Sequence, residues 1–175
     1  MVHSIEYGGQ WVAPFGLHIE KQFTCAIIGV YAGIIVHERR ELWEELRTLQ
    51  AALVTPLFIV GDFNETLHQC ERNSGYLNGI GSTDFKRFIS NCNVLEYPLS
   101  GHRYTRFHGN SMSRTDRAFA TPYFHLTMSG LLLSRFPQEL SDHCPMILGL
   151  QCQTWRWKPF VSLIVRSLSL CLWTN

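Results

Sequence analysis

The chain has 175 residues, 46% of them hydrophobic and 17% charged, with a formal net charge of +1. That size and apolar content suit one packed domain and exclude a disordered chain, while near-neutrality excludes a global electrostatic pull toward nucleic acid or a membrane. The basic set is skewed to 12 Arg against 3 Lys, and Asp occurs only four times, so the positions of those aspartates carry information.

Residues 2–31 hold β-prone pieces broken by Gly8-Gly9, Pro14 and Gly16. The clearest strand is Phe23 to Tyr31, apolar almost throughout, as expected of a strand covered on both faces. From His37 to Leu53, the residues Leu42, Leu46, Leu49 and Leu53 recur at helical spacing, Trp43 widens the stripe, and Glu and Arg fill the opposite face. After Pro56, Leu57 to Val60 predicts a short buried strand running into Gly61. A loop rich in Asn and Gly spans 65–81. Ser82 is the expected N-cap of a second helix with Phe85, Phe88, Ile89 and Cys92 on its inner face. Further strands are expected over Arg103–His108, Arg114–Ala120, Leu126–Leu133 and Cys144–Leu150. The order of elements predicts an α/β or α+β domain with layered sheets.

Six cysteines (Cys25, Cys70, Cys92, Cys144, Cys152 and Cys171) form no C-x-x-C pair, and no His pair lies at zinc-finger spacing. With no signal peptide or transmembrane segment evident, they are read as reduced, mostly buried thiols of an intracellular protein, nuclear or cytoplasmic. The apolar tail from Phe160 to Trp173 is shorter than a bilayer span. Trp155 and Trp157 are assigned to packing before base stacking.

Three of the four aspartates fall in three short motifs. Gly61-Asp62-Phe63-Asn64 ends a buried strand, where α/β proteins place active sites, and an extended backbone would put Asp62 and Asn64 on one face. The competing reading is a turn whose amides these side chains satisfy. Ser141-Asp142-His143-Cys144-Pro145 offers a carboxylate and an imidazole, or simply a cap and a loop histidine. Ser113-Arg114-Thr115-Asp116-Arg117 is either a functional acid between arginines or a surface ion-pair ladder. Arg103, Arg106, Arg114 and Arg117, around Tyr104 and Phe107, form either a DNA-backbone strip or an ordinary strand surface. His68, His102, His108 and His125 are assigned structural or solvated roles.

In this order and spacing the motifs resemble the endonuclease/exonuclease/phosphatase superfamily, which includes the apurinic/apyrimidinic endonucleases. More narrowly, with Val30-Tyr31-Ala32, Glu38-Arg39-Arg40-Glu41-Leu42-Trp43 and Gly61-Asp62-Phe63-Asn64-Glu65, the chain looks like the endonuclease domain of plant LINE-type non-LTR retrotransposons over about residues 20–160. The resemblance implies a DNase I-like two-sheet α/β sandwich flanked by helices and a Mg²⁺- or Mn²⁺-dependent, DNA-nicking phosphodiesterase without a small-molecule cofactor. In intact relatives it acts beside a reverse transcriptase. It implies that Asp62 and Asn64 position and activate water, that His143 contacts the phosphate and that Asp116 orients His143. It further implies that Asp142 joins Asp62 in the metal site and that Tyr31 approaches the phosphate. The rival readings are a phosphatase of the same superfamily and an inactive remnant.

The chain departs from that pattern before Tyr31. The family's metal-ligand glutamate, on an early strand, has no counterpart: Glu6 and Glu20 are the only upstream acids, and neither has the expected setting. The expectation is therefore an N-terminally truncated domain over residues 1–152 with weak or no activity, followed by a tail over 153–175 that is not family-like. Thr115 also replaces an apolar family residue.

Overall fold

Alternation along the central strands sets the architecture. In β3 (Phe23–Tyr31), Ala26, Ile28 and Val30 pack into one core while Phe23, Cys25 and Ile27 pack into another. In β4 (Leu57–Asp62), Leu57 and Ile59 divide in the same way from Phe58 and Val60. A sheet buried on both faces follows, and each face needs its own cover. These relations come from a computed structural model. It describes the backbone of residues 2–18, 22–138, 141–150, 158–164 and 169–172, and side chains within 2–17, 22–138 and 141–149.

The first sheet has the order β1-β2-β3-β4-β8-β5, with β1 (Val2–Tyr7), β2 (Trp11–His18), β5 (Leu95–Glu96) and β8 (Asp116–Ala120). Strands β3 and β4 are parallel and the other neighbouring pairs antiparallel. One face is covered by α1 (Val36–Ala52) and α2 (Gly79–Asn91). There Trp43 stacks against Phe63, Phe85 and Phe88 at ring distances of 5.9, 4.9 and 4.8 Å. The other face meets α3 (Pro122–Thr127) and the second sheet, ordered β12-β11-β10-β9. Its strands are β9 (Leu131–Arg135), β10 (Met146–Leu150), β11 (Lys158–Ile164) and β12 (Ser169–Leu172). A hairpin of β6 (Arg106–His108) and β7 (Ser111–Ser113) stands beside them.

The expected two-sheet sandwich with flanking helices is the observed fold. Four local expectations change. The N-cap of α2 is Asn78, whose side chain accepts from the Gly81 amide; Ser82 lies inside the helix and donates to the Leu67 carbonyl. The stretch 126–133 is not one strand, because Pro122 at N1 starts α3 and Gly130, at positive φ, turns the chain into β9. In the 103–108 segment only Arg106–His108 is a strand. The segment 114–120 becomes a strand only from Asp116.

Cys25, Cys92 and Cys144 are buried free thiols, and Cys70 is exposed. Cys152, Cys171, Trp155, Trp157 and Glu20 lie outside the residues whose side chains are described. Among the described residues, no helix is long and apolar enough to cross a membrane.

Candidate active site

Strand register brings the first three residues together. Tyr31 pairs with Asp62 across β3 and β4, and Asp62 pairs with Asp116 across β4 and β8. The three therefore form one row across adjacent strands. Side chains alternate along a strand, so Tyr31, Asp62 and Asp116 share the parity of Ile27, Val60 and Ala118, which face the second sheet. Gly61 permits this close row: its φ is +154°, and a Cβ there would collide with the Val30 backbone.

His143 reaches the row from the segment before β10. Its Nδ1 lies 3.1 and 3.0 Å from the two Asp116 oxygens, and its Nε2 lies 3.7 Å from Asp62 Oδ2. Asp62, Asp116 and His143 each offer a ligand atom within 4.8 Å of the others. Asp62 is 2% exposed and Asp116 is fully buried. Burial and the neighbouring Asp116 charge push Asp62 up to about 6, against the opposing pull of His143 and the Asn64 amide. For His143, burial alone lowers the pKa, but the Asp116 bond and the charges of Asp116, Asp62 and Asp142 outweigh it and raise it.

Asn64 does not share the Asp62 face through a continued strand. The strand ends at Asp62, and Asn64 turns at a φ of +47°. Its backbone amide donates to Asp62 Oδ1 at 2.9 Å, and its side-chain amide donates to the Ala32 carbonyl at 2.6 Å. The turn reading of the motif is what the geometry shows, and the same turn places Asp62 in the cluster. Tyr31 is 52% exposed at the rim.

The structure separates other expected members from the cluster. Asp142 is not one of the three clustered ligands. Its carboxylate bonds Arg106 at 3.0 Å and lies 3.8 Å from His108, and despite partial burial the Arg106 bond and the His143 charge hold it low. Arg114 and Arg117 do not form a DNA-facing strip. Arg117 follows Asp116 and so points to the opposite face, over the Phe85 ring at 5.9 Å. It is fully buried, bonding Glu71 and, at 2.6 Å, Glu96. Arg114 is largely buried and bonds Glu96 at 2.7 Å. Arg106 is partly exposed and Arg103 is exposed. His68, His102 and His108 are exposed, and His125 stacks on Tyr97 at 4.0 Å.

Thr105 is a site residue that sequence reasoning missed. It is fully buried, and its hydroxyl accepts from the Thr115 and Asp116 amides at 3.2 and 3.1 Å, fixing the start of β8. No spacing rule singles out a threonine eleven positions upstream of its partner.

No protein-family model and no curated protein matches the sequence. Solved structures define the fold as that of DNase I-like AP endonucleases and of endonuclease/exonuclease/phosphatase proteins. An AP endonuclease from Archaeoglobus fulgidus aligns at a TM-score of 0.67 and 13% identity, over 87% of this chain and 72% of that one. The 3′ phosphatase NExo from Neisseria, solved with product DNA hairpin, aligns at 0.65 and 13%, with the same coverage. The endonuclease domain of TRAS1, a telomere-specific non-LTR retrotransposon, aligns at 0.59 and 13%, over 83% of this chain and 65% of that domain.

Proposed function

We propose that the chain is a divalent-cation-dependent phosphodiesterase acting on DNA, of the nicking type found in LINE-like elements, where it would work beside a reverse transcriptase. The observation that carries this reading is the buried Asp62–Asp116–His143 cluster at the end of β4. Two carboxylates crowded out of water, one of them pushed up to about 6, form a donor set that a hard cation would relieve. Asp62 and Asp116 would hold Mg²⁺ or Mn²⁺, which when bound neutralises charge on a phosphate oxygen. Asp62, whose Oδ1 is fixed by the Asn64 amide, would orient the attacking water and take up its proton. Asp116 holds His143 through Nδ1 and favours its protonated form, which leaves Nε2 as the nitrogen that would donate to the phosphate. Asn64 fixes the Asp62 loop through the Ala32 carbonyl, and Tyr31 stands at the entrance. Asp142 and Arg106, paired to each other, flank it, and the exposed Arg103 supplies positive charge nearby in sequence.

A second reading, a catalytically silent fragment of the same fold, is favoured by one observation. No glutamate belongs to the cluster among the described residues, and Glu6 sits on the exposed strand β1. Slow turnover is therefore the expected behaviour. Supercoiled plasmid and a small phosphomonoester, assayed side by side with Mg²⁺, Mn²⁺ and EDTA, decide between the readings. Cation-dependent open circles support the nuclease. Phosphate release from the small ester alone would make the chain a phosphatase, and inertness toward both would leave the silent fragment.

A further inference from the structure

Two backbone segments border the cluster, one after Tyr31 and one after Asp62, and both are tied to one buried ion pair. Arg39, in the first turn of α1, is 5% exposed, and Glu65, next to Asn64, is 4% exposed. Arg39 Nη2 donates to Glu65 Oε2 at 3.0 Å, while Nη1 donates to the carbonyls of Gly33 at 3.0 Å and Ile34 at 2.5 Å. The other Glu65 oxygen accepts from the Thr66 amide at 3.0 Å. The same segments meet again beside the site, where the Ala32 amide donates to the Asp62 carbonyl at 2.8 Å and the Asn64 side chain to the Ala32 carbonyl. Gln10 closes the third side by accepting from the Gly33 amide at 2.6 Å.

A buried ion pair is a poor device for stability, since well-packed apolar residues do as well or better. A planar guanidinium with three fixed acceptors is a good device for geometry. The surroundings are built around it: a Cβ at Gly81, in the first turn of α2, would collide with the Glu65 carboxylate, so the helix closes directly on the pair.

We propose that Arg39 and Glu65 are positioning residues that clamp the Tyr31–Ile35 and Asp62–Thr66 segments into one unit and thereby set the spacing between Tyr31, Asp62 and Asn64. The catalytic consequence rests on the phosphodiesterase reading; the clamp itself does not. Three variants of the full chain test it. Arg39→Lys keeps the charge but cannot span Glu65 and both carbonyls. The double variant Arg39→Met/Glu65→Met removes the pair without leaving a lone buried charge. Hydrogen exchange over residues 31–35 and 62–66 is measured on the same preparations as plasmid nicking. Exchange is expected to rise about tenfold or more in both segments together, with the β4 interior at 57–60 unchanged. Turnover at saturating DNA is expected to fall at least about tenfold while the half-saturating DNA concentration stays within about twofold. Gly81→Ala, which displaces Glu65 sterically, should give a milder version of the same pattern. Protection retained in either segment of Arg39→Lys overturns the proposal, as does full turnover with both segments loosened. If the wild-type chain cleaves no DNA, the phosphodiesterase reading falls and the exchange pattern alone decides the clamp.

Discussion

Replacing Arg117 by Met separates a structural arginine from a DNA contact. Arg117 is fully buried, and both of its amino nitrogens are engaged by Glu71, Glu96 and the Arg114 carbonyl. Met preserves much of the stem but removes the nearer arginine from Glu71, whose side chain is only 10% exposed and keeps Arg114 at 4.0 Å. Breaking a buried pair by removing one partner costs about 3–5 kcal/mol. At about 2–4 °C per kcal/mol for a chain of this size, Tm should fall by roughly 6–20 °C. The loss should depend on pH. Burial alone would raise Glu71, but Arg117 and the amides of Leu67 and His68 outweigh it and hold the carboxyl below its usual 4.5. A depressed carboxylate contributes stability above its unfolded pKa and loses it as pH falls through the folded value. The gap in Tm between wild type and variant should therefore be widest near neutrality and narrow below about pH 4.5. Arg47→Met, which breaks an exposed pair with Glu44, is the control and should cost no more than about 0.5 kcal/mol. Thermal unfolding across pH, with DNA binding across salt, reads both effects. A Tm within about 2 °C of wild type, with weaker DNA binding and a salt slope flatter by about 0.9, would refute the buried-network account and restore Arg117 as a phosphate contact.

Other expectations concern the site and the core. Asp116→Asn removes the leading influence that raises His143, so an imidazole titration followed by NMR should move to lower pH; an unchanged titration would contradict the Asp116–His143 pairing. The raised His143 favours the fold below about pH 6.5 and loses that contribution as pH rises through its folded value, so the variant's stability deficit should be larger on the acid side. Thr105→Val deprives two buried amides of their acceptor and should cost about 1–3 kcal/mol in denaturant unfolding. Gly61→Ala should abolish folding or cost several kcal/mol, because both its φ and the Val30 backbone oppose a Cβ. Among Cys25, Cys70, Cys92 and Cys144, a thiol reagent at neutral pH should label only Cys70 in the native protein. Burial pushes Cys25 and Cys92 up to about 11, so labelling of either at the Cys70 rate would contradict their placement.

Much of the fold was legible because the central elements have strong local periodicity. Phe23–Tyr31 and the Leu42–Leu46–Leu49 stripe are strand and helix as their patterns require. The segment 126–133 misled because apolar residues at helical and extended spacing overlap there, and Pro122 fixes the choice from outside it. The members of the candidate cluster were legible as motifs, since Asp62, Asp116 and His143 each fall in one of the three Asp-bearing motifs. Its wiring was not. Whether Arg117 faces solvent or core depends on which face of β8 the helices cover, and the partners of Glu65 and Asp142 lie on distant elements. Composition carries no record of those pairings.

We propose that the Asp62–Asp116–His143 cluster cleaves phosphodiester bonds with a divalent cation. The most direct measurement is the rate of open-circle formation from supercoiled plasmid by the purified chain, with and without Mg²⁺ or Mn²⁺, beside folded Asp62→Asn and His143→Ala variants. Slow, EDTA-sensitive nicking is expected, with each substitution reducing it by at least about a hundredfold. Nicking that survives both substitutions, or no nicking with Mg²⁺ and none with Mn²⁺, would rule that assignment out.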